Sequence, residues 1–175
     1  MTAEELLVMQ PEHLRSELVD GRMYVREPAS YRHGEVAALL LGAIMAHVQR
    51  EKCGRVLAAE TGFTLRRNPD TVRAPDVAYV SNARRPAPGV RGYAELAPDL
   101  AVEVLSPSGR AGKVRSKIDS WLSAGTLLVW VVDPERHLAR MYASSGEVTV
   151  LGIGDFLDGG AVLPGLRVSL DEVLA

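Results

Sequence analysis

The sequence predicts a mixed α/β (α+β) fold, in which a central mixed β-sheet is flanked by helices and a hairpin is added at each end. Three observations carry this. Asp99 to Leu105 and Leu127 to Val132 are short β-branched runs separated by a helical segment; a strand, helix, strand unit crosses over right-handed and pairs its strands in parallel. From His33 to about Arg50, the residues Val36, Leu39, Leu40, Ala43, Ile44 and Val48 recur at helical spacing. Glu17 to Val25, and Leu138 to Tyr142 with Glu147 to Leu151, read as antiparallel hairpins.

Thr2-Ala3-Glu4-Glu5 has the spacing of a capping box and opens a short helix toward Met9; a second helical turn is expected from Pro11 to Ser16. Asp20-Gly21 is the two-residue turn of the first hairpin, and Gly54 is expected to stop the long helix. Arg55 to Leu65 and Asp76 to Val80 are strand candidates with a turn at Asn68-Pro69-Asp70, and Arg84 to Gly92 is a loop. Ser106 to Gly112 leads into a helix from about Lys113 to Ala124 that buries Val114, Ile118, Trp121 and Leu122. Leu127 to Val132 is apolar on both faces, as a central covered strand must be. Val162 to Val168 adds a short edge strand. One domain is expected over residues 1–175, divided into an N-terminal cap (1–30), a core (33–134) and a C-terminal hairpin extension (135–175).

With 47% hydrophobic and 24% charged residues, the chain has the balance of a globular protein and not of a disordered one. Val36 to Ala46 and Thr126 to Val132, the longest apolar stretches, fall short of the ~20 residues of a membrane helix. The acidic start lacks the positive flank of a signal peptide, so a cytoplasmic protein with no membrane partner is expected. Cys53 stands alone, which excludes an intrachain disulfide and a thiolate zinc cluster. Net charge is near neutral, yet residues 66 to 117 carry ten basic side chains against five acids. Such a segment suits a polyanion, and within it Arg73, Arg110, Lys113 and Arg115 are the candidate DNA contacts; solvated loop arginines are the competing explanation.

Glu103 interrupts the apolar run Leu100 to Leu105, and a carboxylate buried there costs several kcal/mol unless a cation answers it. Asp99 lies four residues away on the same strand, ~13 Å between Cα atoms, too far to share one metal. Asp76 opens its own strand; if the two strands are adjacent, ~4.8 Å apart, their carboxylates can converge on a divalent cation. Lys117, on the following helix beside Ile118 and Trp121, can turn toward the sheet or lie along the surface. A structural ion pair between Glu103 and Lys117 or an arginine is the simpler alternative. Ser106 and Ser108 lack the surroundings of a hydrolase nucleophile and are explained by capping.

Pro75-Asp76, Val102-Glu103-Val104-Leu105-Ser106-Pro107-Ser108, Lys117, Gly125 and Trp130-Val131-Val132-Asp133-Pro134 occur in the order that resembles the Uma-type restriction-endonuclease family of the PD-(D/E)XK nuclease superfamily. The resemblance runs from Glu17-Leu18-Val19-Asp20-Gly21 and His33 to Leu163-Pro164-Gly165-Leu166. It implies a restriction-endonuclease-like core, a homodimer, and a metal-dependent endonuclease acting on DNA. The catalytic residues it implies are Asp76, Glu103 and Lys117, with Mg²⁺ or Mn²⁺ held by Asp76, Glu103 and the backbone carbonyl of Val104. The lysine that many members place two residues after the acid is replaced here by Leu105, so the resemblance moves that work to Lys117. Glu60 is a candidate further oxygen ligand, Glu17 and His33 are accessory candidates, and a non-catalytic DNA-binding or assembly module on the same fold is the alternative.

Overall fold

The structure, a computed structural model, describes residues 1–9, 15–107 and 111–175, without the side chains of Arg15 and Ala111. Helix α1 (Ala3–Met9) opens with the expected reciprocal cap: Thr2 Oγ1 accepts from the Glu5 N–H at 3.2 Å, and Glu5 Oε2 accepts from the Thr2 N–H at 2.8 Å. The turn expected over Pro11 to Ser16 falls largely outside the described residues, and Ser16 itself belongs to a strand. Strands β1 (Arg15–Val19) and β2 (Arg22–Arg26) form the first hairpin, with φ of 50° at Asp20 and 73° at Gly21. Two successive positive φ values are what a type I′ turn requires, and they match the right-handed twist of the strands.

Helix α2 (Tyr31–Glu51) starts at the Ser30 cap and ends on Lys52, which adopts the left-handed conformation at φ 51°. Gly54 is therefore not the helix stop. It opens β3 (Gly54–Ala58), where a Cβ would stand 2.3 Å from the Val80 carbonyl oxygen, so close strand pairing is what requires glycine. The expected strand Arg55 to Leu65 is two strands. β3 stops at the turn containing Glu60 (φ 72°), and β4 (Phe63–Arg66) pairs with β5 (Thr71–Arg73) in a different sheet.

After β6 (Val77–Ser81) come β7 (Leu100–Val104), α3 (Ala111–Ser123), β8 (Leu128–Asp133), β9 (Leu138–Ala143) and β10 (Val148–Leu151). The main sheet has the order β10-β9-β8-β7-β6-β3, and a second sheet the order β2-β1-β5-β4. β7 and β8 pair in parallel through α3, as the crossover rule requires, and β8 is buried along its whole length. The C-terminal hairpin is no appendage: β9 pairs with β8 along six residues and extends the main sheet. Beyond it, β11 (Phe156–Asp158) and β12 (Arg167–Ser169) form a small ribbon, so the expected Val162 to Val168 strand is displaced toward the chain's end. Helix α4 (Leu170–Leu174), which no sequence pattern predicts, buries Leu170, Val173 and Leu174 in the α2 face of the core.

Alternation along the strands builds both faces of the main sheet. Val77, Tyr79, Leu100, Val102, Trp130 and Val132 pack with α2 and α4, whereas Ala78, Val80, Ala101, Val129 and Val131 meet Ile118 and Trp121 of α3. This is a mixed α+β architecture with a central mixed sheet between helices. The two sheets are linked where β5 passes into β6 through Ala74-Pro75-Asp76.

Candidate active site

Asp76 stands at this link. Val77 pairs with Val102 in antiparallel register, so Asp76 lies opposite Glu103, and its own N–H donates to the Val102 carbonyl at 2.9 Å. Asp76 Oδ2 accepts from the Val104 N–H at 2.7 Å and lies 3.3 Å from His33 Nε2 in the first turn of α2. Its neighbour across the strands, Glu103, points to the α3 face. One Glu103 oxygen accepts from the Trp121 indole N–H at 2.8 Å, and the other accepts from the Lys117 ammonium. Lys117 is buried, so it turns inward and does not lie along the surface. Lys117 and Trp121 are one helical turn apart on α3, which lets both reach the same carboxylate.

Glu17 joins the cluster from β1. It lies 3.3 Å from Lys117 Nζ, accepts from Arg73 Nη1 at 3.1 Å and Arg26 Nη2 at 2.8 Å, and receives the Ala74 N–H at 3.1 Å. The five residues Glu17, His33, Asp76, Glu103 and Lys117 thus come together from β1, α2, the β5–β6 link, β7 and α3, all buried.

Their electrostatics differ. Burial pushes Glu103 above the ordinary carboxylate range; Lys117 opposes this, while Asp76 and Glu17 reinforce it. Burial also works against the Asp76 charge, but the His33 hydrogen bond and the Lys117 charge outweigh it and hold the pKa below its usual value. Desolvation of Glu17 is overcome by Lys117, Arg26 and Arg73, and its pKa falls to about 2. Two acids are held ionised and one resists ionisation, within a single cluster.

Other sequence candidates lie elsewhere. Glu60 is exposed in the turn after β3 and not on a strand before Asp76. Arg73 does not face solvent: it is buried, with its guanidinium on Glu17 and on Ser120 Oγ at 3.2 Å, so it cannot serve as a surface DNA contact. Lys113 and Arg115 are exposed on α3, Arg115 pairing with Asp119 at 3.0 Å, and Arg110 lies outside the described residues. The basic excess of residues 66 to 117 is largely answered by acids brought in from elsewhere: Arg66 meets Asp20, Arg67 meets Glu4, and Arg73 and Lys117 meet Glu17. A cavity of about 610 Å³, lined by Glu4, Leu7, Arg67, Arg84, Tyr93 and Glu95 among others, contains none of the five clustered residues.

Sequence reasoning missed two members. The apolar stripe of α3 accounts for Trp121 as core, yet its place one turn after Lys117 also puts its N–H beside that lysine. Arg26 is the second. The Asp20-Gly21 turn sets the register Glu17↔Tyr24 and Arg15↔Arg26, so Arg26 is the diagonal neighbour of Glu17.

The family model described as "Putative restriction endonuclease", Uma2, matches residues 3–171. The chain belongs to the Uma2 family. A solved structure of a putative nuclease belonging to DUF820 from Anabaena variabilis superposes on this Uma2 chain with a TM-score of 0.87 at 21% identity, covering 99% of this chain and 97% of that one. At that identity the likeness concerns the fold alone. No curated protein is significantly similar to the chain. Among the described residues, no helix is long and apolar enough to cross a membrane.

Proposed function

We propose that this Uma2 protein is a metal-dependent endonuclease that hydrolyses DNA phosphodiester bonds with Asp76, Glu103 and Lys117. The observation that carries the reading is the pair of buried carboxylates in facing register, Asp76 and Glu103, with the Lys117 ammonium bonded to Glu103 from α3. Family membership supports phosphodiester chemistry.

Among the described residues, no three His, Cys, Asp or Glu groups form a metal cage. Glu17 is engaged by three cations and an amide. A pair of carboxylates fits Mg²⁺ or Mn²⁺ nonetheless, because Mg²⁺ keeps several waters and is commonly held by one or two carboxylates plus substrate phosphates. Asp76, Glu103 and the backbone carbonyl of Val104 would hold the ion. When bound it supplies a more acidic water and neutralises charge at the scissile phosphate.

The chain's own groups account for the rest. Trp121 fixes one Glu103 oxygen, and His33 with the Val104 amide fixes Asp76, so both carboxylates are oriented before substrate arrives. Lys117, held between Glu103 and Glu17, is the ammonium available to orient the attacking water or to meet negative charge developing on the phosphate oxygens. Glu17 keeps Lys117 in place.

Nicking of plasmid DNA with Mg²⁺ or Mn²⁺ is the test, comparing wild type with Glu103→Ala. Metal-dependent cutting by the wild type alone is expected. Equal activity in both, or none in either, overturns the reading. Calorimetric titration with Mn²⁺ should show binding that Asp76→Asn abolishes.

A further inference from the structure

The cluster's cations are unequal in access. The side chains of Lys117 and Arg73 are 9% exposed, whereas that of Arg26 is 38% exposed. Arg26 donates from Nη2 to Glu17 and stands at the mouth of the cluster, in the field of Glu103 and Asp76.

Arg26 also ends a row. Side chains on a strand alternate between faces, so Arg22, Tyr24 and Arg26 share one face of β2, the face that bears Glu17 on β1 through the Glu17↔Tyr24 pairing. Arg22 is exposed and Tyr24 is 48% exposed. Among the described residues no ion pair engages Arg22, and the nearby Asp20 is paired with Arg66. β2 is the edge strand of its sheet, so among the described residues no further strand flanks it on the outer side. Two arginines separated by an aromatic ring, leading to a phosphodiester-cleaving cluster, are complementary to a polyanion with flat bases. Arg22 and Arg26 lie ~13 Å apart along the strand at about 3.3 Å per residue.

We infer that the Arg22-Tyr24-Arg26 face of β2 is the track on which a DNA strand enters the site, the arginines holding phosphates and Tyr24 stacking on a base. The inference rests on the nuclease reading for its choice of polyanion. Phosphate contacts supply salt-dependent affinity and stacking supplies sequence-tolerant affinity, and both are available here. The apolar residues Met23 and Val25 lie on the opposite face and take no part.

The test is fluorescence anisotropy with a short labelled single-stranded oligodeoxynucleotide in EDTA, at several salt concentrations. Arg22→Gln combined with Arg26→Gln should lower the slope of log K against log salt by about 1.4, about 0.7 for each phosphate no longer neutralised. Tyr24→Ala should weaken binding at least about fivefold, the effect of unstacking one base. Arg26 also bonds Glu17, so Arg22→Gln and Tyr24→Ala, which break no ion pair, keep the test valid if the double variant folds poorly. Unchanged affinity and slope in these two variants overturn the inference, as does a shift from dimer to monomer in sedimentation with DNA affinity unchanged, which would make β2 a contact between copies. Working in EDTA separates the two claims. β2-dependent binding by a wild type that cuts nothing sinks the nuclease reading and leaves the track standing; metal-dependent cutting with β2 variants of wild-type affinity does the reverse.

Discussion

Two charge clusters of opposite design occupy this fold. At the surface near α1, one cation, Arg67, meets three carboxylates, those of Glu4, Glu95 and Asp70. In the interior one carboxylate, Glu17, meets three cations, those of Lys117, Arg26 and Arg73. The outer cluster is largely wet, with Glu4 and Glu95 each 66% exposed and Asp70 alone at 7%, while Glu17 is 5% exposed. Pairs in water contribute little because solvent already satisfies the charges, whereas a buried charge that loses its partner has nowhere to turn. A cluster that tolerates desolvation beside two further carboxylates is the one with chemical consequence, and the number of ion pairs alone does not distinguish it.

The largest effect expected on the interior side is that of Lys117→Met. It leaves Glu103 and Glu17 facing each other without the shared cation, and unfolding in urea should show a loss of about 3–5 kcal/mol. Plasmid nicking should fall by about 10²–10³ if Lys117 stabilises developing charge. Wild-type stability in this variant would break the contrast.

Glu17→Gln comes next. Because the folded pKa of about 2 lies below the ordinary glutamate value of 4.5, Glu17 stabilises the fold fully above pH 4.5 and loses that contribution as pH falls toward 2. The shift corresponds to roughly 3 kcal/mol. Asp76 is shifted in the same direction and Glu103 in the opposite one, so the variant should flatten the acid limb of stability without abolishing it. Urea midpoints measured at about pH 3 and about pH 6, on either side of the ordinary glutamate value, decide this. An equally steep limb in both proteins refutes it.

Trp121→Phe retains the ring but removes the indole donor from Glu103. It should cost about 1–3 kcal/mol, the penalty of an unanswered buried acceptor, and should weaken Mn²⁺ binding by leaving Glu103 unoriented. The smallest effect belongs to the outer cluster: Arg67→Gln should lower the urea midpoint only slightly, because Glu4 and Glu95 return to water and the buried Asp70 keeps the Ala3 and Asn68 amides. A loss comparable with that of Lys117→Met would erase the distinction between the two clusters.

Much of this was legible in the residues. Helical spacing marked α2, the capping box marked α1, and Asp20-Gly21 marked the first hairpin with its register. The doubly apolar run at Leu127 to Val132 marked the buried central strand. Each depends on neighbours in sequence. The split of Arg55 to Leu65 into strands of two sheets was only half legible: Gly62 lies in the break, but the positive φ at Glu60 and the sheet each half joins are set by distant partners. Nor was α4, whose five residues are too few for periodicity to show.

At the candidate site the division is similar. A carboxylate inside an apolar strand made Glu103 conspicuous from sequence alone, and Asp99 could be set aside on distance along the strand. Sequence therefore determined the types of the longer elements, the crossover and the two acids that had to be explained. Only the tertiary structure decided that Lys117 turns inward, that Arg73 is sequestered on Glu17, and that Arg26 is left at the mouth. Local spacing specifies which face of an element a side chain occupies, but whether that face meets water, a carboxylate or another sheet depends on contacts between residues far apart in the chain.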